Sequence, residues 1–145
     1  MPRRLSLTLK RDHALEATRV SVGRSKLVYV LIADKRLGYQ EGKSRIAYIG
    51  TTKKGVARIA QSIAARAEVI LALRGVRTFY ARVVTCKPRR HVKTWRKLER
   101  ALLLKFKERF GEVPECNSHG RRMKATNEFH YFSQRGIANV IDELS

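Results

Sequence analysis

The chain has 145 residues and carries 32 Lys plus Arg against 12 Asp plus Glu, a formal net charge of +20 with a pI near 11.0. That length matches one domain and buries roughly 70% of the unfolded surface, enough for a core without staples. The two cysteines, Cys86 and Cys116, make no disulfide framework and point to a reducing compartment. The longest apolar run, Leu27 to Ala33, is far shorter than the ~20 residues of a membrane span, and the basic N-terminus lacks the apolar segment of a secretory signal. The expectation is an intracellular protein, cytoplasmic or nucleoid-associated, neither secreted nor membrane-bound. A surface this basic attracts polyanions beyond a Debye length of ~8 Å, so nucleic acid is the expected partner. An anionic membrane would ask instead for an amphipathic helix with bulky apolar residues opposite Lys/Arg, and the best helices here are needed for the core.

In chain order, "LSLTL" at 5–9 and "RVSV" at 19–22 alternate apolar and polar residues and are expected to pair as an N-terminal hairpin. "KLVYVLIAD" is a strand rich in β-branched and aromatic residues. "KRLGYQEGKSR" follows as a hairpin loop marked by Gly38 and Gly42, and "IAYIG" returns as a strand ending at Gly50. Val56, Ile59, Ile63, Ala67 and Ile70 recur at helical spacing and predict an amphipathic helix closed by Gly75. "VRTFYARVVT" reads as a third strand. A second helix opens at Pro88, shows an apolar face of Trp95, Leu98, Leu102, Phe106 and Phe110, and closes at Gly111. A loop with Pro114, Asn117 and Gly120 leads to "EFHYF", and a last helix buries Ile137, Val140, Ile141 and Leu144. With no repeat, low-complexity tract or linker, residues 1–145 read as one α+β domain.

Glu99 borders the apolar stripe of its helix in a segment, Lys87 to Arg109, with ten basic residues and two acidic ones. A carboxylate there needs an arginine or a metal, because burying it alone is costly. Arg58 sits one residue before the inward Ile59. Taken singly, each of these has an ordinary reading: Glu99 as a structural ion pair, Arg58 as a solvated charge, Tyr29 and Tyr48 as strand-core aromatics, Asn117 as a turn residue.

Taken in order they form a pattern. "LVYVL" around Tyr29, "YIG" at Tyr48 to Gly50, an arginine eight residues past that glycine, and "KLERALLLKFKERFGEVPECN" with its LE-x-x-L and P-x-x-N resemble the GIY-YIG nuclease family across residues 27–117. The resemblance implies a small three-stranded antiparallel sheet flanked by helices that binds one divalent metal, Mg²⁺ or Mn²⁺, and hydrolyses DNA phosphodiesters, duplex or branched. By position it implies that Tyr29 activates the attacking water and Tyr48 shares the water and phosphate network. Arg58 would grip the scissile phosphate, Glu99 bind the metal and Asn117 support the site. Residues 1–25 and 118–145 lie outside the matched core as accessory segments.

The chemistry suits these residue types. One carboxylate leaves a hard cation open positions for water and phosphate oxygen, and a guanidinium holds a phosphate bidentately. A tyrosine near its reference pKa of about 10 is a poor base at neutral pH, so Arg58 and the metal are expected to favour the phenolate. Two positions depart from the family. Leu27 stands where "GIY" has glycine, and its side chain is expected to point outward. Ser62 stands where many members carry His or Tyr, which leaves the proton route open to His91, His119 or His130.

Cys86, His91, Cys116 and His119 lack the tight spacing of a zinc knuckle, and "TTKKG" lacks the glycines and GK[ST] ending of a P-loop. Lys53, Lys54, Arg89, Arg90, Lys93, Arg96, Lys97, Arg121, Arg122 and Lys124 are expected to follow a nucleic-acid backbone, giving steep salt dependence. The alternative is a non-catalytic DNA- or RNA-binding protein on the same scaffold. Oligomeric state does not follow from the sequence.

Overall fold

A run of apolar residues that does not alternate needs cover on both faces, and Leu27 to Ala33 gets it. The computed structural model describes residues 4–14, 16 and 25–145. In it β1 (Leu27–Tyr39) is the middle strand of an antiparallel three-stranded sheet, flanked by β2 (Gly42–Thr52) and β3 (Phe79–Val84) in the order β2-β1-β3. Four helices follow the strands: α1 (Val56–Leu71) between β2 and β3, then α2 (Thr94–Phe110), α3 (Glu128–Tyr131) and α4 (Gln134–Leu144). The α+β class and the three-stranded antiparallel sheet are as expected.

The two sheet faces build separate cores. On one, Val28, Val30, Ile32, Ile46 and Ile49 pack against Leu98, Leu102 and Phe106 of α2 and Ile137, Ile141 and Leu144 of α4. On the other, Leu27, Tyr29, Leu31 and Tyr48 meet Ile59 and Ile70 of α1. Segment 118–145 thus supplies part of the first core through α4.

The pairing register explains how β2 serves both faces. Leu31 pairs with Tyr48, but the next residue, Ile32, pairs with Ile46, so Ala47 is an extra residue on β2. This bulge puts Tyr48 on the α1 face while Ile46 and Ile49 serve the α2 face. The outer edge of β2 is occupied by the chain's own C-terminal half. The Cys116 N–H donates to the Ala47 carbonyl at 2.9 Å and the Arg45 N–H to the Ser145 carbonyl at 3.2 Å. Among the described residues, no strand pairs with the outer edge of β3.

Several boundaries differ from the expectations. β1 runs on to Tyr39 and Gly38 pairs with Lys43, so the hairpin loop shrinks to Gln40 and Glu41. The cause is Tyr39: its ring packs on Phe106 and Phe110, and its hydroxyl donates to the Ile46 carbonyl at 2.5 Å. Helix α1 stops at Leu71, before Gly75, and Val56 is 41% exposed and outside the core. The third strand is confined to Phe79–Val84. Pro88 does not open α2. A turn bridged between Arg89 and Val92, with His91 at φ 60°, occupies the intervening chain, and the helix begins at Thr94. Gly111 does close α2, in the left-handed conformation that glycine adopts at least cost (φ 81°).

The N-terminal hairpin is not formed by residues 5–9, which carry no strand; Leu5, Leu7 and Leu9 are 90%, 96% and 96% exposed. Its intended partner at 19–22 lies outside the described residues. Among the described residues no helix is long and apolar enough to cross a membrane.

Candidate active site

Tyr29 and Tyr48 occupy the same face of the sheet on neighbouring strands. Tyr29 pairs across the ladder with Gly50, and Tyr48 with Leu31, so the phenols are diagonal neighbours with ring centroids 5.9 Å apart. A Cβ on Gly50 would lie 2.5 Å from Tyr48 Cε1 and 2.9 Å from Tyr29 Cζ and hydroxyl. Glycine is therefore required after "YI" by space: the two rings fill the room a side chain would take.

A small cavity of about 160 Å³ opens beside the phenols, lined by Tyr29, Tyr48, Thr51 and the α1 residues Arg58, Gln61, Ser62, Ala65 and Arg66. Arg58 is exposed, and its Nη1 donates to Gln61 Oε1 at 3.1 Å. Ser62 is buried and takes the Tyr29 hydroxyl at 2.7 Å. The Arg66 guanidinium lies 3.8 Å over the Tyr48 ring and donates through Nη1 to Ser62 Oγ at 2.8 Å. Residues 58, 62 and 66 follow one another at helical i, i+4 steps, which is why they share a face. That spacing is the signal that would have found Arg66, which the motif pattern alone does not select.

Without a divalent cation beside it, the groups around Tyr48 favour the phenol over the phenolate. Burial pushes its hydroxyl up to about 12, neighbouring Tyr29 adds to the rise, Arg66 opposes it, and the Glu99 carboxylate adds to it again. Desolvation outweighs one cation. The expectation for Leu27 is corrected: its side chain is 1% exposed and packs in the α1-side core beside Tyr29.

Asn117 and Glu99 are not among the residues lining the cavity. Asn117 is buried and spends both ends of its amide on one residue of β2, donating to the Ile49 carbonyl at 2.9 Å and accepting from the Ile49 N–H at 3.0 Å. It holds the strand between Tyr48 and Gly50 rather than facing the cavity. The same loop is tied down by the Glu115 N–H, which donates to the Tyr39 hydroxyl at 3.1 Å.

Glu99 rises from α2, the helix packed on the opposite face of the sheet, and reaches Tyr48 through its field. Its side chain is 14% exposed, and its one salt-bridge partner among the described residues is His119, with Nε2 3.9 Å from Oε1. Burial raises its pKa, while His119, Arg96 and Arg100 pull the other way. A desolvated carboxylate this short of partners fits a hard divalent cation that brings its own water ligands. No group of three or more His, Cys, Asp or Glu gathers anywhere among the described residues, Glu99 included, so a closed structural zinc site does not fit. Of the three histidines named for the proton route, His119 stands beside Glu99, and none lines the cavity.

The basic residues spread over several surfaces. Lys53 and Lys54 are exposed at the start of α1, which has no side-chain cap and no acidic residue in its first turn, so its N-terminal dipole is open to an anion. Arg89 and Arg90 are exposed on the bridged turn, Lys93 is exposed just before α2, and Arg96 is exposed at its start. Lys97 is partly committed, with Nζ 2.6 Å from Asn127 Oδ1 and 5.1 Å from the Tyr131 ring centre, a ring that Arg89 also approaches. Arg121, Arg122 and Lys124 are exposed in the loop before α3.

Compared with models of known protein families, with curated proteins and with solved structures, the chain has no significant match.

Proposed function

We propose that the protein is a metal-dependent endonuclease that hydrolyses DNA phosphodiester bonds, as its resemblance to GIY-YIG nucleases implies. One observation carries the reading: Tyr29, Tyr48 and Arg58, brought from two strands and a helix, line a single cavity whose ring space is kept by Gly50. In this mechanism Tyr29 first loses its proton to bulk water; a water oxygen then attacks phosphorus as the Tyr29 phenolate takes the water proton, one phosphorus–oxygen ester bond breaks, and the leaving oxygen takes a proton from bulk water. Arg58 holds the non-bridging oxygens and stabilises the charge that builds on them. Tyr48, held protonated, donates a hydrogen bond to the phosphate or to the attacking water. Glu99 is the residue that would hold Mg²⁺ or Mn²⁺, and a cation bound there would supply Lewis-acid polarisation. Asn117 supports the site by keeping β2 in place through Ile49.

The test is cleavage of supercoiled, linear, branched and single-stranded DNA with and without Mg²⁺ or Mn²⁺. Metal-dependent cutting that Glu99→Gln abolishes, with DNA binding near wild type, supports the reading. Tight binding without cutting of any substrate under either metal overturns it. The second reading, a non-catalytic DNA- or RNA-binding protein on this scaffold, draws on the same cavity: its lining holds no histidine or carboxylate, and Tyr48 is pushed to about 12.

A further inference from the structure

Ser62 occupies the place where a proton carrier is expected, yet its hydroxyl is not idle. It is buried and sits between two donors, the Tyr29 hydroxyl at 2.7 Å and Arg66 Nη1 at 2.8 Å. A hydroxyl has one proton and two lone pairs. Arg66 is permanently charged and can only donate, so it fills one lone pair, and the Ser62 proton cannot point toward it. While Tyr29 is neutral, its phenol fills the other. When Tyr29 releases its proton to bulk water, the Ser62 hydroxyl can turn and donate to the phenolate without losing the Arg66 bond.

We infer that Arg66, acting through the Ser62 hydroxyl, is the group that stabilises the Tyr29 phenolate in place of the absent histidine or tyrosine. The new anion gains a hydrogen bond whose donor is itself polarised by a guanidinium, and such charge-assisted bonds are strongest where water is scarce. Arg66 is held for this task because its guanidinium is stacked on Tyr48. The groups around Tyr29 are Tyr48 from β2, Arg58, Ser62 and Arg66 from α1, and Cys116 from the loop beyond α2, which packs on the same cluster and feels Arg66. From α2, the Glu99 field reaches Tyr48. Among the described residues, Arg66 is the one cation bonded to Ser62. Arg66 is thus a positioning residue for the general base. The inference rests on the hydrolase reading for its catalytic meaning, while the hydrogen-bond chain is a property of the protein alone.

The experiment is a titration of the isolated protein, free of metal and nucleic acid, labelled with ¹³C at the tyrosine Cζ. Tyr29 is assigned with Tyr29→Phe, and Tyr39, remote from the cavity, reports the fold. Arg66→Met is expected to raise the Tyr29 midpoint by about one pH unit or more, Ser62→Ala to do the same, and the double variant to add little to either. Arg66→Lys is expected to recover part of the loss. An unmoved Tyr29 midpoint in Arg66→Met, or a full Arg66→Met shift that persists on the Ser62→Ala background, overturns the inference. Should Arg66→Met not fold, Arg66→Gln takes its place, and an unmoved Tyr29 midpoint there overturns the inference in the same way. A chain that never cuts DNA removes the hydrolase reading and leaves this titration standing; a flat titration in a chain that cuts does the reverse.

Discussion

Tyr29 lies directly opposite Gly50 in the β1–β2 ladder, and its ring occupies the space where a Gly50 side chain would begin. Gly50→Ala forces both phenols to move, since Tyr48 Cε1 would sit 2.5 Å from the new carbon. Overpacking of this kind costs roughly 1–3 kcal/mol. The expected result is that loss in urea denaturation together with shifted Tyr29 and Tyr48 resonances. Unchanged resonances in the alanine variant would mean the ring positions do not depend on that space.

Arg58 has few other duties: it is exposed and bonded only to Gln61 among the described residues. Arg58→Ala is therefore expected to leave thermal stability within about 0.5 kcal/mol of wild type and to slow plasmid nicking on the order of 10²-fold or more. Single-turnover nicking beside a melting curve checks both halves, and an unaffected rate removes Arg58 from the mechanism.

Asn117→Ala leaves the Ile49 N–H and carbonyl without their partner in a buried setting. Each orphaned group costs about 1–3 kcal/mol, so a loss of several kcal/mol by urea denaturation is expected. Hydrogen exchange at the Ile49 amide should accelerate with it. Asn117→Asp keeps the acceptor but turns a second oxygen toward the Ile49 carbonyl, and is expected to be no better than alanine at pH 7.

Glu128 is 0% exposed and accepts from Arg100 Nε at 2.6 Å, the Thr126 N–H at 2.7 Å and the Thr126 hydroxyl at 2.9 Å. Burial opposes its charge, but the Arg100 and Thr126 hydrogen bonds outweigh it and lower the pKa from 4.5 to about 2. A carboxyl whose folded value lies below its unfolded one stabilises above the unfolded value, and the contribution fades as pH falls through the folded one. Between pH 4.5 and about 2 the protein is expected to lose about 3 kcal/mol on this account. Glu128→Gln should be less stable at pH 7 and show a flatter profile across that window, followed by urea midpoints. A profile as steep as wild type would assign the acid sensitivity elsewhere.

Salt tests the basic surface. Replacing Lys53 and Lys54 by Gln, or Arg89 and Arg90 by Gln, is expected to lower the slope of log K against log salt by about one per lost phosphate contact. Fluorescence anisotropy between 50 and 200 mM salt measures it, and an unchanged slope excludes that pair from the interface.

The parts legible in the sequence are those whose pattern is local. β1 announces itself by an unbroken apolar run, and α2 by its stripe from Leu98 to Phe110 with Gly111 behind it. Boundaries fail where distant residues decide them. β1 continues past Gly38 because Tyr39 has Phe106 and Phe110 to pack on, and Pro88 yields the start of α2 to a turn held by Arg89 and Val92. In the site, the two phenols and Arg58 are legible as motif residues. The bulge at Ala47, the double grip of Asn117 on Ile49 and the Arg66–Ser62–Tyr29 chain are not, because each depends on a register or a crossing that no single stretch of sequence encodes.

The sheet's two borders have unlike fates. Along β2 the backbone is spent on Ser145, Cys116 and Asn117, so an incoming peptide would have to evict the molecule's own tail to hydrogen-bond there. Along β3 no strand pairs among the described residues, and Tyr80 stands exposed at 49%. The sheet is thus sealed along β2 and, among the described residues, left unsealed along β3.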